Sequence, residues 1–237
     1  MSLTTQDNST VRNQSRTNFF TGEVCRSQEQ SVDFEMLMAE WRGETTTKQL
    51  IDYAESLGVD AIAVRELGAA YAKEYRAWAW PMYGQDAAVI GIRLRSESRK
   101  WAVTGSKSGA FMAFGCTERT VYLPEGPTDT SALFSMGLYA IGRPMAIGCE
   151  SVIVDILQRQ KIKRAVIVAD GDDAGRNGAL RLQKELRIPS VIYLPPCKDA
   201  RELLRLGGDR QMIENTVNQT VWTCPTPSPD SRQEGRR

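Results

Sequence analysis

The sequence contains no histidine. That absence removes Ser-His and Cys-His nucleophilic catalysis, histidine general bases and every zinc site that uses imidazole. The five cysteines (Cys25, Cys116, Cys149, Cys197 and Cys224) are scattered, with no two closer than 27 residues. There is no CxxC, which argues against a four-cysteine zinc ribbon, and an odd, dispersed set argues against a disulfide framework. They read as free thiols of a reducing cytoplasm. No apolar run approaches the ~18 residues of a membrane span. The opening MSLTTQDNSTVRNQSRTN lacks the apolar centre of a secretory signal. A GxxxxGK[ST] stretch is missing too, because GSKSG at residues 105–109 has the wrong order for a P-loop. Bulk charge is also lacking: 30 basic residues against 29 acidic leave a net charge of +1. Affinity for a polyanion must therefore come from a local patch. Carboxylates, lysine, arginine, cysteine, serine and metal ions remain to do chemistry.

The 237 residues suffice for one large domain or two small ones with a buried core. Residues 1–30 are rich in Ser, Thr, Asn and Gln without periodicity and read as a disordered tail. PTPSPDSRQEGRR, from Pro225, reads the same way and follows the end of a C-terminal helix in the stretch 211–237. Between the tails lie two segments of different texture.

The first, residues 31–115, reads as a small α+β subdomain. Phe34, Leu37, Met38 and Trp41 fall on one helical face. Thr47 is placed to cap a second helix that stops at Gly58, and a third covers residues 61–67. The period then changes to two. AAVIGIRLR (87–95) and KWAVT (100–104) read as strands joined by a turn at SESR. Ile90, Ile92 and Leu94 face one way, and Arg93 and Arg95 the other. Residues 85–107 hold five basic and two acidic side chains. A strand face presenting Arg93 and Arg95 beside Trp101, with Lys100 and Lys107 nearby, suits tracking of phosphates. An ordinary solvated sheet face would look the same.

The second segment, residues 116–210, alternates strands and helices. Strands are expected at 120–124, within 139–147, at 164–169 and at 190–194. Helices are expected at 128–137, with Thr128 as cap, at 151–160, at 174–186 and from 200. That alternation means βαβ units and a mainly parallel sheet flanked by helices. Ligands of such sheets bind beyond the carboxyl ends of the strands. Glu125 follows one strand end, Asp129 lies one helical turn on, and Asp170 and Asp172 follow another strand in VIVADGDDAG. If the two strands are neighbours, these carboxylates converge. Clustered carboxylates repel unless a cation compensates, and oxygen clusters select Mg²⁺ or Mn²⁺. Gly171 is expected to turn the chain so that Asp170 and Asp172 face one ion. Gly126 and Gly175 are expected to permit close approach at the strand-to-helix turns. A lone DxD would serve equally well as a loop capping the next helix.

The joint pattern is more specific. YLPEGPTDTSAL, about 40 residues of βα structure and IVADGDDAGRNGA together resemble the Toprim domain of primases, topoisomerases and certain nucleases. The matching positions are Glu125, Gly126, Asp129, Asp170, Asp172, Ala174, Gly175 and Arg176. KDARELL (198–204) resembles the stretch after the last Toprim strand in primases. Residues 78–111 resemble the segment before Toprim in primases of the phage and plasmid type. The resemblance covers roughly residues 75–206. It implies a Rossmann-like Toprim fold and Mg²⁺- or Mn²⁺-dependent RNA primer synthesis from NTPs on single-stranded DNA. Glu125, Asp170 and Asp172 would be catalytic and, with Asp129, metal-binding. Arg93, Arg95, Lys100, Lys107 and Arg176 would meet nucleotide and nucleic acid. No zinc-binding module and no helicase motor is recognised, so such a core would be degenerate, would borrow them from a separate helicase or template-reading protein, or would do something else with nucleic acid. A Toprim nuclease and a non-catalytic replication accessory protein are the alternatives. A topoisomerase fits less well, because Tyr122 and Tyr139 lie inside the expected core.

Overall fold

A computed structural model describes residues 32–145 and 148–224. The tail readings at 1–30 and from Pro225, Cys25, and the part of the expected 139–147 strand at Ala146 and Ile147 lie outside the described residues.

Three helices open the described chain. Asp33 caps α1 (Phe34–Glu44) by accepting the Met36 N–H at 3.0 Å, and Met38 and Trp41 are its buried residues. The cap of α2 (Thr47–Leu57) is Thr46 and not Thr47. Thr46 and Gln49 exchange side-chain and backbone bonds in a capping box, which Thr47 lies one position too late to make. Gly58 ends that helix at φ 70°, a left-handed conformation open to glycine without strain. A short α3 follows (Ala61–Glu66).

An antiparallel sheet comes next, in the order β1 (Ala70–Ala72), β2 (Ala77–Tyr83), β3 (Val89–Arg95) and β4 (Lys100–Ala102). The hairpin read at SESR is the β3–β4 connection. The central strand β2 shows no period of two, because nearly all of AWAWPMY is buried. It tolerates Pro81 because pairing with β1 ends at Ala79 and a bridge to Ala110 begins only at Tyr83. Strand register corrects one expectation. Trp101 stands opposite Leu94, so it shares the core face and not the Arg93–Arg95 face. Its ring carries the Arg99 guanidinium at 5.0 Å.

The chain then crosses through β5 (Phe111–Met112) into the parallel sheet. That sheet is ordered β6 (Thr120–Leu123), β8 (Arg164–Val168) and β9 (Ser190–Tyr193). Between β6 and β8 come α4 (Gly126–Ser135), β7 (Ile141–Gly142) and α5 (Glu150–Arg159). The expected strand at 139–147 is reduced to β7, which pairs antiparallel with β5. Single parallel bridges, Tyr122 to Ala140 and Glu125 to Arg143, keep it beside β6. The remaining helices are α6 (Asp173–Glu185), α7 (Ala200–Arg205) and α8 (Arg210–Asn218). The fold is mixed α/β with helices around a parallel sheet. Among the described residues no helix is long and apolar enough to cross a membrane.

Candidate active site at the carboxyl edge of the parallel sheet

Strands β6 and β8 are hydrogen-bonded neighbours running the same way, with Leu123 beside Ile167. Their carboxyl ends therefore open at one edge, and the residues just past them, Glu125 and Asp170, meet there. Helix α4 starts earlier than its sequence suggests: Glu125 holds the N-cap position, Pro127 sits in the first turn, and Thr128 is inside the helix. Gly126 takes φ 74° at this entry, so its role is conformational, with nothing near enough to crowd a side chain. At the second entry Gly175 is needed for space. A Cβ there would lie 2.9 Å from the Asp170 carbonyl oxygen.

These entries frame a cavity of about 310 Å³. Glu125, Asp129, Asp170 and Asp199 supply its acids. Arg93, Arg95 and Lys100 reach it from β3 and β4, and Lys198 and Arg201 from the loop after β9 and the start of α7. Lys100 stands opposite Arg95 in the register, which puts both on the cavity face.

Several of these side chains are held by named partners. Asp129 is buried in the first turn of α4, and its Oδ1 accepts the Arg201 N–H at 3.1 Å. Arg95 donates to the Thr128 hydroxyl at 3.1 Å, and Arg93 to the Pro144 carbonyl at 3.1 Å. Asp199 caps α7 by accepting the Glu202 N–H at 2.8 Å. The Arg143 guanidinium, buried beneath the site, lies 3.4 Å from Glu125.

Charge crowding shows in the titration of the acids. Burial, then the neighbouring Asp129, Glu125, Asp199 and Asp172, push Asp170 up to about 7. Burial and Asp199 push Asp129 up to about 6. Burial raises Glu125, and Arg143 opposes the rise. Lys100 is lowered by burial and by Arg95, and Asp129 and Asp170 pull the other way. Tyr122 and Tyr139 are buried, as expected of core tyrosines, and burial pushes each up to about 12.

Not every sequence candidate comes together here. Asp172 spends an oxygen on the α6 cap, accepting the Gly175 N–H at 2.7 Å, and does not line the cavity. The chain does bend at Gly171 and Asp172, but Gly171 is not in the left-handed region, so the bend does not draw on glycine's special conformational freedom. Both readings of the DxD thus apply: its first acid faces the cavity and its second caps the helix. Arg176 folds back on the Gly171 carbonyl at 3.0 Å. Lys107 is exposed and does not line the cavity. Thr128, Arg143, Lys198, Asp199 and Arg201 belong to the site without standing in its strand-end acid or basic-strand motifs. For the last three a signal existed in KDARELL. For Arg143 it was faint, a lone cation between Gly142 and Pro144 in an apolar stretch.

Among the described residues, no three His, Cys, Asp or Glu side chains form a ready-made metal cluster. The donors fit a hard divalent cation nonetheless. They are all oxygen, and Mg²⁺ commonly takes only one or two protein carboxylates, filling its shell with waters and phosphate oxygens. The crowding that raises Asp170 is what a dication relieves. Asp170 and Glu125 are the acids at the two strand ends that could hold one.

No family model matches the sequence. The DNA helicase/primase of Enterobacteria phage T3 is 21% identical over 147 residues, which cover 58% of this chain and 26% of that protein. The match therefore spans about a quarter of the curated relative's length. Among solved structures, the zinc-binding and RNA polymerase domains of Aquifex aeolicus primase align with a TM-score of 0.64 at 18% identity, over 80% of this chain and 60% of that one. A DnaG primase catalytic domain bound to single-stranded DNA aligns with a TM-score of 0.58 at 14% identity, over 79% and 77%. What is shared with these structures is the fold, that of a primase catalytic core.

Proposed function

We propose that this chain is a primase-like nucleotidyltransferase core that makes RNA primers from NTPs on single-stranded DNA with the help of Mg²⁺ or Mn²⁺. The observation that carries the reading is one cavity with acids from the parallel sheet on one side and cations from the antiparallel sheet on the other. Such an arrangement suits a triphosphate, which needs positive charge along its length and a dication at its reacting end. A phosphate-free substrate would need none of these cations.

In this reading the 3′-hydroxyl oxygen of the growing strand attacks the α-phosphorus of an NTP, and pyrophosphate leaves. Asp170 and Glu125 would hold Mg²⁺, which would supply charge neutralisation for the phosphoryl transfer. Arg95 and Lys100 sit across the cavity, placed to neutralise the phosphates. Arg93 and Arg201 extend the same wall. Glu125 completes the site, either as a ligand of the metal or by taking the 3′-hydroxyl proton. Asp129, fixed by the Arg201 N–H, would add negative charge to a metal site and holds α7 against α4. Asp172 and Arg176 organise the loop beneath Asp170, and Lys107 is a candidate for strand contact outside the cavity. A separate helicase or template-reading partner belongs to the same reading.

The test is incubation of the protein with single-stranded DNA, four NTPs and Mg²⁺, with new oligomers and template degradation both scored. New oligomers that vanish in Asp170→Asn support the reading. Degradation without synthesis replaces it with the nuclease alternative.

A further inference from the structure

A second, larger cavity of about 810 Å³ adjoins the acidic one, and of its lining the chemistry above uses only Arg95 and Arg201. Arg95 and Arg201 line both, so the two share a wall. The floor of the larger cavity follows from strand register. Tyr71 on β1 stands opposite Trp78 on β2, Trp78 opposite Arg95 on β3, and Arg95 opposite Lys100 on β4. Directly opposed residues project from the same face of a sheet. The four side chains therefore form one row across all four strands, aromatic at one end and cationic at the other.

Helix α2 adds a third ring. Tyr53 stacks on Trp78 with centroids 4.0 Å apart and an interplanar angle of 3°. Tyr71 meets Trp78 edge-on at 5.7 Å and 62°. All three rings line the cavity and are only partly buried. Tyr53 and Trp78 also help seat α2 on the sheet, whereas Tyr71 belongs to none of the hydrophobic clusters. Arg76, exposed at the turn between β1 and β2, contributes another cation to the lining. The acids of the lining are Asp52 and Glu97, and Asp52 is paired with Lys48 at 2.8 Å.

The geometry points to a stacking site for one unpaired nucleobase of a single-stranded nucleic acid, seated against Tyr53, Tyr71 and Trp78, with its flanking phosphates on Arg76, Arg95 and Arg201. The inference rests on the primase-like reading and deepens it: a strand that reaches the acidic cavity is also gripped by a base a fixed distance away. Neighbouring strands lie ~4.8 Å apart, so Lys100 and Trp78 are separated by ~10 Å. That is about three nucleotides at a stacked rise of ~3.4 Å. Every base has a π-face, so the site anchors a strand without reading its sequence.

The test measures binding of the full chain to an eight-nucleotide strand and to its fully abasic counterpart, each in deoxy and ribo form, by fluorescence anisotropy. Stacking of one base is worth about 1–3 kcal/mol, so the wild type should prefer the base-bearing strand by about 5- to 150-fold. Tyr71→Leu and Trp78→Leu should remove most of that preference while leaving abasic binding unchanged. Arg76→Ala should weaken both strands alike. Trp78→Leu can loosen α2, so Tyr71→Leu decides the matter, with thermal melts confirming its fold. A preference confined to the deoxy strand assigns the site to template, and one confined to the ribo strand assigns it to product. A wild type that binds base-bearing and abasic strands equally overturns the proposal. So does a folded Tyr71→Leu variant that keeps the preference. Primer synthesis is scored on the same proteins. Synthesis with a preference untouched by Tyr71→Leu sinks the stacking site alone, and a Tyr71-dependent preference without synthesis sinks the primase-like reading alone.

Discussion

Glu125 Oε1 lies 3.4 Å from Nη2 of Arg143, whose side chain is only 1% exposed. The pair joins the N-cap of α4 to the residue after β7, where a parallel bridge already links the two backbones. A buried guanidinium is thus the counter-charge for an acid at the cavity rim, and it opposes the rise that burial imposes on Glu125.

Removing one member of such a pair takes a close counter-charge from the other in a largely desolvated setting. Arg143→Met should cost about 3–5 kcal/mol of stability in urea denaturation. Glu125→Gln should also destabilise, and the double variant should lose clearly less than the sum of the two. Strict additivity would show that the two charges do not depend on each other.

Asp170 gives a pH signature. Its pKa in the folded protein is raised to about 7, whereas an unfolded aspartate titrates near 3.9. Between those values the folded state binds more protons than the unfolded chain. Stability from this group therefore falls as pH rises from about 4 to about 7 and is level above. In metal-free buffer, Asp170→Asn should melt progressively higher than the wild type across that window, and Mg²⁺ should raise the wild type selectively. A melting difference independent of pH would overturn the raised pKa of Asp170 that burial and the neighbouring acids impose.

The cavity separates the basic residues that the sequence groups together. Arg95→Ala and Lys100→Ala should weaken Mg²⁺-dependent NTP binding by at least about tenfold, as loss of a charge-assisted phosphate contact of roughly 1.5–3 kcal/mol requires. Lys107→Ala should leave NTP affinity near wild type and act, if at all, on the salt slope of strand binding, by about 0.7 per lost contact. Equal losses of NTP affinity in all three would mean that the cavity is not where the triphosphate binds. Calorimetric titration measures each.

Gly175 tests the packing behind the site. Its missing Cβ would lie 2.9–3.0 Å from backbone and Cβ atoms of Asp170. Backbone cannot yield as a side chain can, so Gly175→Ala should shift the start of α6 against Asp170 and cost about 1–3 kcal/mol. Metal affinity should fall with it. A variant with wild-type stability would show that α6 adjusts freely.

The sequence by itself determined the local elements and the linear order of the acids. The 3.6-residue period of α1 and α2, the alternation in β3, and the βα rhythm that puts Glu125 and Asp170 just past strand ends are consequences of near neighbours in the chain. They can therefore be read without knowing what packs where. Boundaries set by capping were legible only within one to three residues, as Thr46 and Glu125 show, because the choice among nearby polar caps depends on which backbone N–H groups are left free. Only the tertiary structure decided the rest. Trp101 turned away from Arg93 and Arg95 because the β3–β4 register sets it opposite Leu94. Strand β2 escaped notice because a strand covered on both sides has no polar face to alternate. Asp172 left the cavity because α6 needed its oxygen. Arg143 joined the site through its bridge to Glu125, and Arg201 through the Asp129 carboxylate on α4, contacts across many residues of chain that KDARELL and a lone cation only hint at. Cavities belong to this second class, since each wall is supplied by a different element and its depth depends on how the elements pack.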